Sequence, residues 1–144
     1  MARGTVVALH LKSSADSLEP VDELVAVSGE GFEGDVHRGR ARRQVLFVAT
    51  DQLEAFGYAP GTLREQITVE LPGLQQLPLG TLVRVGEASF EITMDCDPCT
   101  KMALRLGEEP EAFKQKLDHR RGMLAVVRDG GTIRVGDEVL VASG

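Results

Sequence analysis

Tryptophan is absent from the 144 residues, tyrosine occurs once, and aromatic residues make up only 4% of the chain. Single-stranded nucleic acids bind on stacked aromatic platforms, so that class of function has no support. Positive charge is in short supply too. Sixteen Lys and Arg stand against 22 Asp and Glu, for a formal charge of −6 and a pI near 5.1; a nucleic-acid binder would show the opposite balance. No apolar run approaches the ~20 residues that span a bilayer. The start, Met1-Ala2-Arg3-Gly4, carries no apolar signal segment, and the expected location is the cytoplasm with no membrane contact. Two cysteines do not make a disulfide scaffold.

What is present is ordinary globular composition, 42% hydrophobic and 26% charged, at a length that suits one domain spanning 1–144. Val6 to Leu11 and Leu24 to Val27 read as strands, and the continuous apolar run Val45 to Ala49 reads as a strand buried on both faces. Thr50 as N-cap and Asp51 in the first turn predict a short helix to Phe56, closed by Gly57. Gln66 to Val69 is a further short strand. Gly80 to Glu87 and Gly131 to Glu138 share a pattern of strand, Gly-acid turn and strand. Between them, Pro98 to Leu106 and Glu111 to Arg121 read as helices, the second with Phe113 and Leu117 on one face and Pro110 ahead of it. Met123 to Arg128 is a strand, and Asp129-Gly130-Gly131 a hairpin turn. Short strands with glycine turns favour a barrel or a sandwich.

The two cysteines sit together as Cys96-Asp97-Pro98-Cys99. With Asp97 as N-cap and Pro98 at N1, Cys99 falls in the first turn of a helix, where the dipole favours a thiolate; Lys101 and Arg105 add to this, while Asp95 and Asp97 oppose it. Four uses are open: half of a zinc site, a thioredoxin-like redox pair, two small buried side chains, or one functional thiolate. Zinc needs two more ligands, for which only His10, His37 and His119 remain. A redox pair of that type belongs in a βαβ setting that the pattern lacks.

Several separated segments, in order, resemble the MOSC domain family, named for the C-terminal domain of molybdenum-cofactor sulfurases. They are Gly31-Phe32-Glu33-Gly34-Asp35-Val36-His37-Arg38-Gly39, then Leu63-Arg64-Glu65-Gln66-Ile67-Thr68, then Leu77 to Gly86, then Pro98-Cys99-Thr100-Lys101, and finally Arg121-Gly122-Met123 through Gly136-Asp137. The resemblance implies a closed, distorted mixed β-barrel with a few short peripheral helices. It implies molybdenum-cofactor or sulfur-transfer chemistry, with Cys99 as the functional thiol that carries a persulfide or ligates molybdenum. The implied cofactor is molybdopterin, and the candidate groups to hold its phosphate and ring are Arg38, Arg40, Arg42, Arg43, Arg64, His37, Lys101 and Gln66. Four arginines fall between residues 38 and 43 of an otherwise acidic chain; a solvated loop is the plainer account of them. Asp35 reads as a turn residue, Glu65 as an arginine's ion-pair partner, and Cys96 as incidental or a resolving thiol. Implied partners are a sulfur donor such as a cysteine desulfurase, and a molybdoenzyme or electron-transfer protein. The family's Arg-Glu-Asn is Arg64-Glu65-Gln66 here, which keeps the amide on a longer arm. Two other readings stand beside the carrier or cofactor-binding domain: a non-catalytic binding module, and a molybdenum-dependent reductase of N-hydroxylated compounds.

Overall fold

The computed structural model describes residues 2–142. Eleven strands and three short helices follow the sequence order expected, with helical material at two places between the strands. The long first strand, β1 (Arg3–Ser14), pairs on one edge with β6 (Ile67–Glu70) and on the other with β11 (Glu138–Val141). From β11 the ring continues through β7 (Leu82–Val85), β8 (Ala88–Asp95), β9 (Met123–Asp129) and β5 (Val45–Ala49) back to β6. Seven strands therefore close on themselves. All neighbours are antiparallel except β5 and β6, which run parallel, so the barrel is mixed. Closure leaves no free edge in the ring. β2 (Ser17–Val21) folds back on the end of β1. A separate sheet of β10 (Gly131–Arg134), β3 (Glu23–Val27) and β4 (Gly31–Phe32) lies beside the barrel.

The reading of Val45 to Ala49 as doubly buried holds, and the reason is a two-layer core. Val45, Phe47 and Ala49 point into the barrel, where they meet Phe90, Ala125 and Val139. Phe47 and Phe90 pack edge to face at 5.4 Å. Leu46 and Val48 point outward into a second cluster with Leu53, Leu63, Met102, Phe113 and Leu117. That outer cluster is the seat of α1 (Thr50–Phe56), α2 (Thr100–Arg105) and α3 (Pro110–Leu117). The barrel interior is filled by side chains, so any sizeable ligand must sit outside it.

Four local expectations are corrected. Thr50 does not cap α1; Ala49 holds the N-cap position without a side-chain bond, because the helix grows directly out of the buried end of β5. Asp97 does not cap α2; Cys99 is the N-cap residue, in extended backbone, and the helix starts at Thr100. Asp129-Gly130-Gly131 is not a hairpin turn, since β9 pairs with β5 and β8 while β10 pairs with β3. The helix read as Glu111 to Arg121 is Pro110–Leu117, while the two Gly-acid repeats hold as strand, turn and strand, with β7 and β8 paired as a hairpin and β10 and β11 in different sheets.

Candidate functional site

Where β1 leaves the ring its pairing with β2 is irregular between Leu11 and Ser14. Leu9 and Leu11 face the barrel core, and Lys12 alternates with them onto the other face beside His10, where it is only 5% exposed. The backbone at Lys12 is held by the loop between β4 and β5: Lys12 N donates to Asp35 Oδ2 at 3.1 Å, and Val36 N donates to Lys12 O at 2.8 Å. Asp35 also accepts from His37 N at 2.9 Å and from the Gln66 amide. It fixes the loop, as a turn residue does.

That loop, the turn before β6, the cysteine segment, α2 and the residue ahead of β9 surround a pocket of about 560 Å³, within the ordinary range for small-molecule sites. Seven of the sixteen Lys and Arg line it, and none of the 22 Asp and Glu does. Lys12 and Arg121 lie deepest, at 5% and 8% exposure. Arg64 enters from the β6 turn, Lys101 and Arg105 from α2, and Arg40 and Arg43 from the β4–β5 loop. Both cysteines reach the same pocket, Cys99 exposed and Cys96 buried.

The electrostatics follow from this crowding. Burial, with Arg64 and Arg121 close by, brings the Lys12 ammonium down to about 8, against the pull of Asp35. Burial and then Lys12 lower His37 to about 4, so its imidazole is neutral at pH 7. His37 Nδ1 lies 3.1 Å from Arg43 O; a carbonyl only accepts, so Nδ1 carries the proton and Nε2 is left as an acceptor. Burial and then Arg105 lower Arg64. Arg64 also sits at φ +61°, in the left-handed region that a non-glycine residue occupies only when its surroundings hold it there. Burial pushes the Cys96 thiol up, with Arg121 opposing. Arg121 donates from Nη1 to Cys96 Sγ at 2.8 Å and to Asp97 O at 3.2 Å, and from Nη2 to Leu63 O at 3.3 Å. Its Nε is buried without a partner.

The structure thus brings Cys99, Arg64, Arg40, His37 and Lys101 together around one pocket. Arg43 joins them, and three other candidates stand apart. Arg38 turns away to pair with Glu30 at 3.0 Å. Gln66 is wholly buried behind the wall, taking Leu46 N on its carbonyl and donating to Gln44 O and Asp35. Arg42 reaches a different hollow beside Thr93. Glu65 makes no ion pair among the described residues; Gly61 N and the Thr68 hydroxyl donate to it instead. Lys12 was invisible as a site residue, because nothing in the sequence marks the loop between β4 and β5 as covering its face of β1.

The sequence model of the MOSC domain matches residues 34–140, some three quarters of the chain. The chain belongs to the MOSC domain family. No curated protein matches it. Among solved structures, the YuaD protein from Bacillus subtilis superposes with a TM-score of 0.86 at 21% identity, with 100% of each chain covered. YiiM from Escherichia coli gives 0.73 at 17% identity over 100% of this chain and 71% of its own, and YiiM from Geobacillus stearothermophilus 0.70 at 19% over 97% and 75%. At these identities the likeness shows the MOSC fold, and the closed mixed barrel with short helices is that fold. MOSC domains are associated in general with molybdenum-cofactor binding and sulfur chemistry. The donor set of the pocket fits such a group: an exposed thiol, the soft ligand suited to a soft metal site, beside a cluster of cations without a lining carboxylate. Lys12, on the strand before the matched segment, completes that cluster.

Proposed function

We propose that this MOSC domain binds a phosphate-bearing pyranopterin molybdenum cofactor in the pocket, with Cys99 as the metal's protein ligand. The observation that carries the reading is the concentration of seven Lys and Arg and no Asp or Glu around an exposed thiol in an acidic protein. Buried positive charge without an ion-pair partner is costly unless an anion meets it. Lys12, Arg64 and Arg121 are the groups to hold the phosphate, by charge-assisted hydrogen bonds that Arg can make in pairs. Lys101 and Arg105 flank the thiol from α2. Arg40 and Arg43 close the opposite wall. His37 offers Nε2 as a neutral acceptor for a ring N–H and holds no proton to give at pH 7. When bound, the cofactor supplies two-electron chemistry at molybdenum; reduction of an N-hydroxylated substrate, with electrons from a partner protein, is the activity to assay.

The decisive experiment is molybdenum and organic phosphate content in protein made by a host that synthesises the cofactor. Wild type is expected to carry close to one equivalent of each, and Cys99→Ala to lose the metal. Metal-free wild type, or metal retained in Cys99→Ala, overturns the assignment.

The exposure of Cys99 favours a second reading, a sulfur carrier. An exposed thiol lining the pocket is open to a donor such as a cysteine desulfurase, and the surrounding cations would stabilise an anionic persulfide.

A further inference from the structure

Cys96 is the nucleophilic group that neither reading uses. It lies three residues before Cys99, and both line the same pocket. The segment joining them is extended up to the N-cap, with Cys99 at φ −130°, so no helical hydrogen bond fixes the spacing of the two sulfurs. Cys96 itself is held firmly. Its N–H donates to Gly122 O at 3.0 Å, and Arg121 Nη1 reaches its sulfur at 2.8 Å and the intervening Asp97 carbonyl at 3.2 Å. A thiol that only filled space beside Leu46 and Leu63 would not need a buried guanidinium against its sulfur. Arg121 has no carboxylate partner among the described residues, and its Nε is an orphaned buried donor. From within the protein, the group this guanidinium faces is the Cys96 sulfur, which it can stabilise as negative charge develops there.

We propose that Cys96 is a resolving thiol that discharges sulfane sulfur from a Cys99 persulfide as sulfide, closing a Cys96–Cys99 disulfide. The inference rests on the carrier reading. The Cys96 sulfur attacks Cys99 Sγ; the bond between Cys99 Sγ and the outer sulfur breaks, and the new Cys96–Cys99 bond forms. The outer sulfur leaves with the bonding pair and takes the Cys96 proton, as hydrosulfide. It is reduced by the same count of electrons by which the Cys96 sulfur is oxidised, so no outside oxidant enters. Arg121 stabilises the attacking sulfur as it gains negative character. A dithiol reductant of the thioredoxin class then reopens the disulfide. The pairing of an exposed sulfur acceptor with a buried, cation-clamped neighbour gives the exchange its direction.

The test uses the reduced full chain, loaded briefly with sodium tetrasulfide and desalted, followed by intact mass and a sulfide assay. Wild type is expected to fall about 2 Da below its reduced mass and to release about one sulfide per chain. Cys96→Ser and Cys96→Ala, two variants in case one folds poorly, are expected to keep the added sulfur of about 32 Da on Cys99. Arg121→Lys is expected to discharge at least tenfold more slowly, counted per sulfur loaded. Wild type that holds the added sulfur as long as Cys96→Ser does overturns the proposal and leaves the carrier reading intact. Failure of Cys96→Ser and Cys96→Ala, shown folded by their melting curves, to take up sulfur overturns both.

Discussion

Lys12 is a residue whose cost and use can be separated. Unfolded, its ammonium titrates near 10.5; folded, at about 8. Between those values the unfolded chain holds more protons, so stability rises with pH across that window. Below pH 8 the full penalty of burying the charge is present, and above pH 10.5 it is gone. Lys12→Met is therefore expected to stabilise the ligand-free protein at pH 7, by at most about 3 kcal/mol. The gain should fade in thermal melts as the buffer is raised from pH 7 to 10, and the same variant should lose cofactor phosphate. A gain that does not change with pH would show that the residue is not buried as an ammonium. His37 has the same sign lower on the scale. Its folded value of about 4 against 6.5 unfolded means that stability falls as pH drops from 6.5 towards 4, and His37→Gln should flatten that limb of the pH–stability curve. Of these two, the sequence marked only His37, through the residues around it. Lys12 alternates with Leu11 onto the face turned away from the barrel core, which a strand pattern assigns to solvent, and the loop between β4 and β5 covers that face.

At the level of elements, the segment from Arg121 to Met123 does most of the positioning. Gly122 sits at φ +131°, and a Cβ there would run into Phe47 O and the Val48 side chain. Its carbonyl takes both Cys96 N and the Gln75 amide at 3.0 Å. Gly122→Ala is expected to destabilise the fold by roughly 2–4 kcal/mol in denaturant melts, and to loosen Arg121 from Cys96 at the same time. An effect below about 0.5 kcal/mol would mean the strand tolerates a side chain here. The motif around this glycine was legible by resemblance, but its purpose was not. The contact that matters crosses from β9 to β5, and no local pattern encodes it. The same limit explains the misread turn at Asp129-Gly130-Gly131. Glycine reports that the chain bends, and both a hairpin and a crossing between sheets need a bend. The cysteine turn was placed correctly between a strand and a helix and started two residues early, because Asp97 and Pro98 suit a helix start by type while the Asp97 carbonyl is already engaged by Arg121.

For the whole molecule, the charge total conceals its distribution. With seven Lys and Arg drawn into one pocket, nine remain against 22 acids over the rest of the chain. The exterior repels small anions while the pocket attracts them, and focused fields of this kind are screened over about 10 Å at 0.1 M salt. Binding of a probe such as inorganic pyrophosphate is expected to weaken about tenfold or more between 20 and 200 mM NaCl. Arg64→Ala and Arg105→Ala should each reduce the salt dependence in titration calorimetry. A salt-independent affinity would place the probe elsewhere. The composition pointed away from nucleic acids on the net charge alone, and it had no way to reveal that the minority sign is gathered in one place. The barrel itself was readable from short strands, glycine turns and ordered family motifs. Its closure was legible only through the resemblance, since no local pattern encodes the pairing between the most distant strands.

That closure bears on how the protein is born. Arg3 and Glu138, 135 residues apart, meet across the seam between β1 and β11. A nascent chain emerging from the ribosome therefore carries the edges of β1 and β7 unpaired until β11 has been made. The helices and the outer cluster can assemble earlier, but β1, which carries Lys12, gains its last partner late. Non-local pairing of this kind slows folding and leaves sticky edges exposed meanwhile. The pocket draws on both ends of that order, Lys12 from β1 and Arg121 from just ahead of β9, so a cofactor or sulfur donor meets the full set of cations only once both have been made and brought together.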